Sequence, residues 1–150
     1  HKDLQAHLIG QFIKRDIYIE NKIPPMTCYE DFYIFPKMLT QATNIYFQFD
    51  SHYYYIKRQG SLSTSLDQDK IKNLLTCTIK MEDDLPVKFR HLILCHWLDI
   101  YLKHYDSLIE NDDRAIVKKH VVMTHSFGFF LNRHVRFSYK RKALSTLWKN

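Results

Sequence analysis

Glycine is nearly missing from this chain. Gly10, Gly60 and Gly128 are its only three, and no two lie near each other. Isolated glycines build neither GxGxxG nor GxxxxGK[ST], so nucleotide chemistry through the usual phosphate-cradling loops is excluded. Long apolar runs are missing too: no stretch reaches the roughly 18 residues needed to read as a membrane-spanning helix, and no signal peptide is visible. The three cysteines, Cys28, Cys77 and Cys95, are widely spaced and form no CxxC pair. An odd, scattered set excludes a disulfide framework and reads as reduced thiols in an intracellular protein.

The last absence is of negative charge. From Arg114 to Asn150 there is no Asp and no Glu, while Arg114, Lys118, Lys119, Arg133, Arg136, Lys140, Arg141, Lys142 and Lys149 are basic. The chain carries +6 overall, so its N-terminal three quarters are slightly acidic and its C-terminal end is strongly cationic. Such a segment expects a polyanion: a nucleic-acid backbone, an anionic membrane surface or an acidic protein.

Aromatic residues are abundant, with ten Tyr and ten Phe. They favour strands and supply large contact areas. The length fits one domain over 1–150. The expected fold class is α+β, an antiparallel sheet with one long packed helix and a shorter helix in the N-terminal half. Strands are expected at 11–20, from Ile13, Ile17 and Ile19 on one face; at 44–58, as a hairpin turning at Asp50-Ser51; at 74–81; and at 120–140, where Val121, Met123, His125, Phe127, Phe129 and Leu131 alternate. Thr27-Cys28-Tyr29-Glu30 has capping-box spacing and predicts a short helix that Pro36 ends or kinks near 34–35. Asp84-Leu85-Pro86 predicts the start of a long helix to about 105. Its apolar-aromatic stripe is Phe89, Leu92, Ile93, His96, Trp97, Ile100, Tyr101 and His104. Asp112-Asp113 reads as a short helical turn or a loop. Ala143, Leu144, Leu147 and Trp148 suit a final short helix. Gln59–Gln68 is the loop-like stretch.

Chemistry has few candidates. His91 and Cys95, four apart on the long helix, suit two corners of a zinc site, with His120 and His125 as further donors only if the fold brings them there, while His96 lies on the apolar stripe; a buried thiol and satisfied histidines are the favoured explanation. Glu30-Asp31, Asp50 and Glu82-Asp83-Asp84 would serve a metal-dependent nuclease, or simply cap helices. No catalytic motif, cofactor or metal ligand set is assigned, and a non-enzymatic role is expected. The basic end carries more. Arg133, Arg136, Lys140, Arg141 and Lys142 stand beside Leu144, Leu147 and Trp148. Cations next to a Trp-Leu edge suit an anionic membrane interface, and they suit RNA, with Trp148 or Tyr53-Tyr54-Tyr55 as stacking platforms.

Two patches, DIYIENKIPPMTCYEDF at 16–32 and LTCTIKMEDD at 75–84 running into the long helix and a basic strand, resemble the matrix proteins of rhabdoviruses and related negative-strand RNA viruses. They cover about half the chain. The resemblance implies a small α+β structural protein of the virion's inner surface and the host cytoplasm or nucleus. Such a protein is peripheral to the membrane, self-associates and bridges anionic lipid to a viral nucleocapsid or RNA. The family's basic, proline-rich N-terminal arm has no counterpart, as expected of a trimmed chain. Leu62 and Leu66, isolated apolar residues in the Gln59–Gln68 loop, are the expected self-association contacts. A sequence-tolerant RNA- or DNA-binding module is the alternative function.

Overall fold

The computed structural model describes residues 10–47, 54, 56 and 67–148. Over them the chain is helical and contains no strand. It forms two compact units, His1–Leu85 and Pro86–Asn150.

The first unit holds α1 (Arg15–Glu20), α2 (Glu30–Gln41) and α3 (Gln68–Asp84). α2 and α3 pack together through Ile34, Phe35 and Met38 on one side and Ile71, Leu75, Cys77, Thr78 and Met81 on the other, all buried. Within that second set Ile71, Leu75, Thr78 and Met81 recur at three- and four-residue steps, the signature of one helical face. Asp67 caps α3, its carboxylate accepting from the Lys70 amide at 2.9 Å, and its side chain also pairs with the buried Lys70 ammonium at 3.6 Å. α1 is tied to α2 by Asn21, whose amide donates to Ile17 O and to Gln41 Oε1, each at 2.6 Å.

The second unit is built on α4 (Arg90–His104), preceded by a 3-10 turn at Val87–Phe89. α5 (Asn111–Met123), α6 (Phe127–Leu131) and α7 (Phe137–Thr146) follow. Ile93, Leu94, Cys95, Trp97, Leu98 and Ile100 are all buried, so α4 is enclosed on more than one side. α5 and α7 both pack on it. The Trp97 ring stacks on His120 of α5, centroids 4.3 Å apart and nearly parallel. Ser126 caps α6, accepting from the Phe129 amide at 3.4 Å.

The expected sheet is therefore replaced by helices. Ile13 and Ile17, expected on a strand face, are four apart and flank the start of α1. Residues 74–81 lie inside α3, and 120–140 form the end of α5, all of α6 and the start of α7. Asn44–Phe47 are neither helix nor strand, and most of the proposed hairpin lies outside the described residues. The helix expected at 86–105 is present as α4, but His96 on its expected stripe is exposed. The capping box does not form. Tyr29 takes the N-cap in the left-handed region at φ 66°, and Thr27 Oγ1 accepts instead from Asn73 of α3. Pro36 does not end α2; it sits buried inside a helix that runs on to Gln41.

Candidate polyanion-binding face

The C-terminal helix is set by what it docks against. Tyr139, Lys142, Ala143 and Thr146 form one face of α7. Tyr139 donates to Asp99 Oδ2 and Lys142 Nζ to Asp99 Oδ1, each at 2.7 Å, so one carboxylate of α4 holds two turns of α7. Lys142 also lies over the Tyr139 ring at 4.6 Å. His125, just past α5, reaches Thr146 Oγ1 at 2.9 Å and holds the far end of the helix. Burial raises the Asp99 carboxyl, but the hydrogen bonds from Lys142 and Tyr139 and the charges of Lys103 and Lys142 outweigh it, leaving the pKa below the ordinary value.

With that face fixed, helical geometry turns Phe137, Arg141 and Leu144 outward, at four- and three-residue steps on the side opposite the Asp99 contacts. Trp148 follows in the turn just past the end of α7. All four are exposed, Phe137 at 80% and Trp148 at 87%. Lys140 and Leu147 flank the stripe on one side, Ser138 and Ser145 on the other. Arg133 and Arg136 are exposed at the turn that leads into α7. None of Arg133, Arg136, Lys140 and Arg141 is ion-paired with a carboxylate among the described residues.

The six residues singled out from sequence thus divide. Arg133, Arg136, Lys140, Arg141 and Trp148 belong to or border this outward face. Lys142 points the other way, neutralising Asp99. Arg133 and Arg136 lie in the turn before α7, Arg136 as its extended N-cap, and Lys140 and Arg141 lie within the helix, so no strand face holds them. Phe137 is exposed and is the residue sequence reasoning missed; its spacing from Arg141 and Leu144 was the available signal. Leu62 and Leu66 lie outside the described residues, as do Tyr53 and Tyr55, while Tyr54 is 92% exposed. The other basic residues of the C-terminal end are partly engaged. Arg114 and Lys118 both lie over Tyr105, and Arg114 donates to Leu108 O at 2.8 Å.

The proposed zinc corners have other work. His91 Nδ1 accepts from Asn132 at 3.0 Å and its ring lies edge-on to Phe129. Cys95 is buried, donates to His91 O, and burial together with the Asp99 charge pushes its thiol up to about 12. No three His, Cys, Asp or Glu side chains converge among the described residues. A hollow of about 60 Å³ lined by Tyr101, Lys118, Val121, Val122, His125 and Thr146 has room for roughly two waters, not a substrate.

Comparison with known proteins is silent: no family model, curated protein or solved structure matches this chain.

Proposed function

We propose that this chain is a non-enzymatic structural protein that lies on an anionic membrane through the outward face of α7, in the manner of a matrix protein that self-associates and bridges lipid to ribonucleoprotein. The strand order behind the resemblance is gone, so the reading rests on surface chemistry. One observation carries it: aromatic and aliphatic side chains and cations without a carboxylate partner lie together on and just before α7, on a side that the fold leaves in solvent. An interfacial helix needs that combination, apolar groups to enter the acyl boundary and cations to meet the headgroups. Each Lys or Arg near an anionic leaflet contributes about 1 kcal/mol, so Arg133, Arg136, Lys140 and Arg141 together suffice for reversible attachment once the apolar groups add theirs. Leu144, set between Phe137 and Trp148, offers bases no stacking plane, which weights lipid above nucleic acid.

Vesicle flotation tests the reading. The chain is expected to float with phosphatidylserine-containing vesicles and not with pure phosphatidylcholine. Replacing Arg133, Arg136 and Arg141 with Glu should abolish flotation, and Trp148→Ser should weaken it. Equal recovery on both vesicle types would refute the electrostatic part. The exposure of Tyr54 supports the second reading, a sequence-tolerant nucleic-acid module, in which stronger retention by single-stranded oligonucleotide than by anionic vesicles is expected. Self-association through Leu62 and Leu66 is the other half of the matrix proposal. Their joint replacement by Ser should leave the thermal midpoint unchanged and remove concentration-dependent assembly in sedimentation.

A further inference from the structure

We infer that Ser138 is a phosphorylation site, and that its phosphate is the release switch of the α7 face; the inference rests on the membrane reading above. The segment Arg133-His134-Val135-Arg136-Phe137-Ser138 places guanidinium groups five and two residues before a serine. Arg133, Arg136 and Ser138 are all exposed, and the Ser138 side chain has no hydrogen-bond partner among the described residues. Residues 132–136 form a turn rather than a helix, and Arg136 is extended at φ −61°, ψ 146°. A serine/threonine kinase with an acidic substrate groove therefore finds its two arginines on non-helical backbone, and only the first turn of α7 has to loosen to present the hydroxyl.

In the transfer, Ser138 Oγ attacks the γ-phosphorus of ATP and the bond to the β–γ bridging oxygen breaks. ADP leaves, and the hydroxyl proton passes to the kinase's base. The product stays compatible with the fold. It lies in the first turn of a ten-residue helix, where negative charge is favoured, and one turn before Arg141 and Lys142. Its charge of about −1.5 to −2 cancels about half of the four free cations around it. By the per-charge contribution of basic residues on an anionic leaflet, partitioning should fall roughly 10- to 30-fold.

The test treats the full chain with a basophilic serine/threonine kinase and ATP, locates phosphate by peptide mass, and repeats flotation on phosphatidylserine-containing vesicles. Wild type should gain one phosphoryl group on Ser138 and lose flotation. Ser138→Ala should gain none there, keep an unchanged circular-dichroism spectrum and float whether or not it has been treated. Arg133→Ala with Arg136→Ala should slow modification severalfold. Absence of phosphate on Ser138, or a Ser138-phosphorylated chain that floats like the parent while the untreated parent floats, overturns the switch and leaves the membrane reading standing. An untreated parent that fails to float overturns both.

Discussion

Asp99 sits where groups from two helices converge, and its titration should be readable. Its folded pKa is depressed, so the stability it contributes is fully present above the ordinary carboxylate pKa and is lost as pH falls through the lower folded value. Thermal scans between neutral pH and about pH 2 should show wild type losing stability in the acid window, and Asp99→Asn should flatten that part of the loss. At neutral pH the same change should cost about 1–2 kcal/mol, because Lys142 keeps its charge without its partner and hydrogen bonds to charged groups are the stronger kind. The thiols make a second case. Cys77 and Cys95 are buried and raised to about 12, by burial first and by Cys28 and Asp99 respectively after it. Both stay protonated at neutral pH, whereas Cys28 is half-exposed. Brief iodoacetamide treatment of the native chain should label Cys28, with Cys77 and Cys95 labelled only after denaturation.

At the scale of elements, α4 and parts of α2 and α7 were legible, and the rest were hidden by competing periods or by shortness. α4 was visible because Asp84 and Pro86 mark its approach and its apolar residues extend over four turns, long enough for a 3.6 period to separate from alternation. The stripe was only partly right, since Leu94, Cys95 and Leu98 are buried as well, and a helix buried on more than one side has no single face to detect. α3 was misread because Thr76, Thr78 and Ile79 raise strand propensity, while Ile71, Leu75, Thr78 and Met81 record the helix that tertiary packing selected. α6 is five residues long and is four-fifths Phe and Leu, too short for any period; only Ser126 at its cap announced it. The candidate site fared better in composition than in geometry. The cations were singled out from charge and Trp148 from its place beside them, but which of them face outward depended on Asp99, forty residues from Tyr139. Trp97, wholly buried and stacked on His120, ties α4 to α5. Trp97→Ala should lower unfolding free energy by about 3–5 kcal/mol in denaturant titration.

Across the whole molecule, charge is distributed with the units. Pro86–Asn150 contains 12 of the 22 basic residues and only 5 of the 16 acidic ones, so it carries +7 while the rest carries −1. On the membrane reading proposed above, the attraction to an anionic surface belongs to one unit, and it should be screened at modest salt. Flotation on phosphatidylserine-containing vesicles should decline steeply as sodium chloride passes through about 0.1 M, where the Debye length is about 10 Å. Retention at 1 M salt would mean that the Phe137-Leu144-Trp148 ridge alone holds the protein to lipid.

Both tryptophans lie in that same unit, one wholly enclosed and one almost fully in solvent. The chain therefore carries two native fluorophores with opposite assignments. Trp97 emits from a rigid apolar site and reports whether the helices around α4 are assembled. Trp148 emits from water and reports what touches the outer ridge. Trp148→Phe leaves an optical record of folding alone, and the difference from the parent spectrum isolates the surface. Quenching by iodide, a blue shift on vesicles and its reversal on release can all be followed in that difference, without attaching a dye to a face whose chemistry a dye would change.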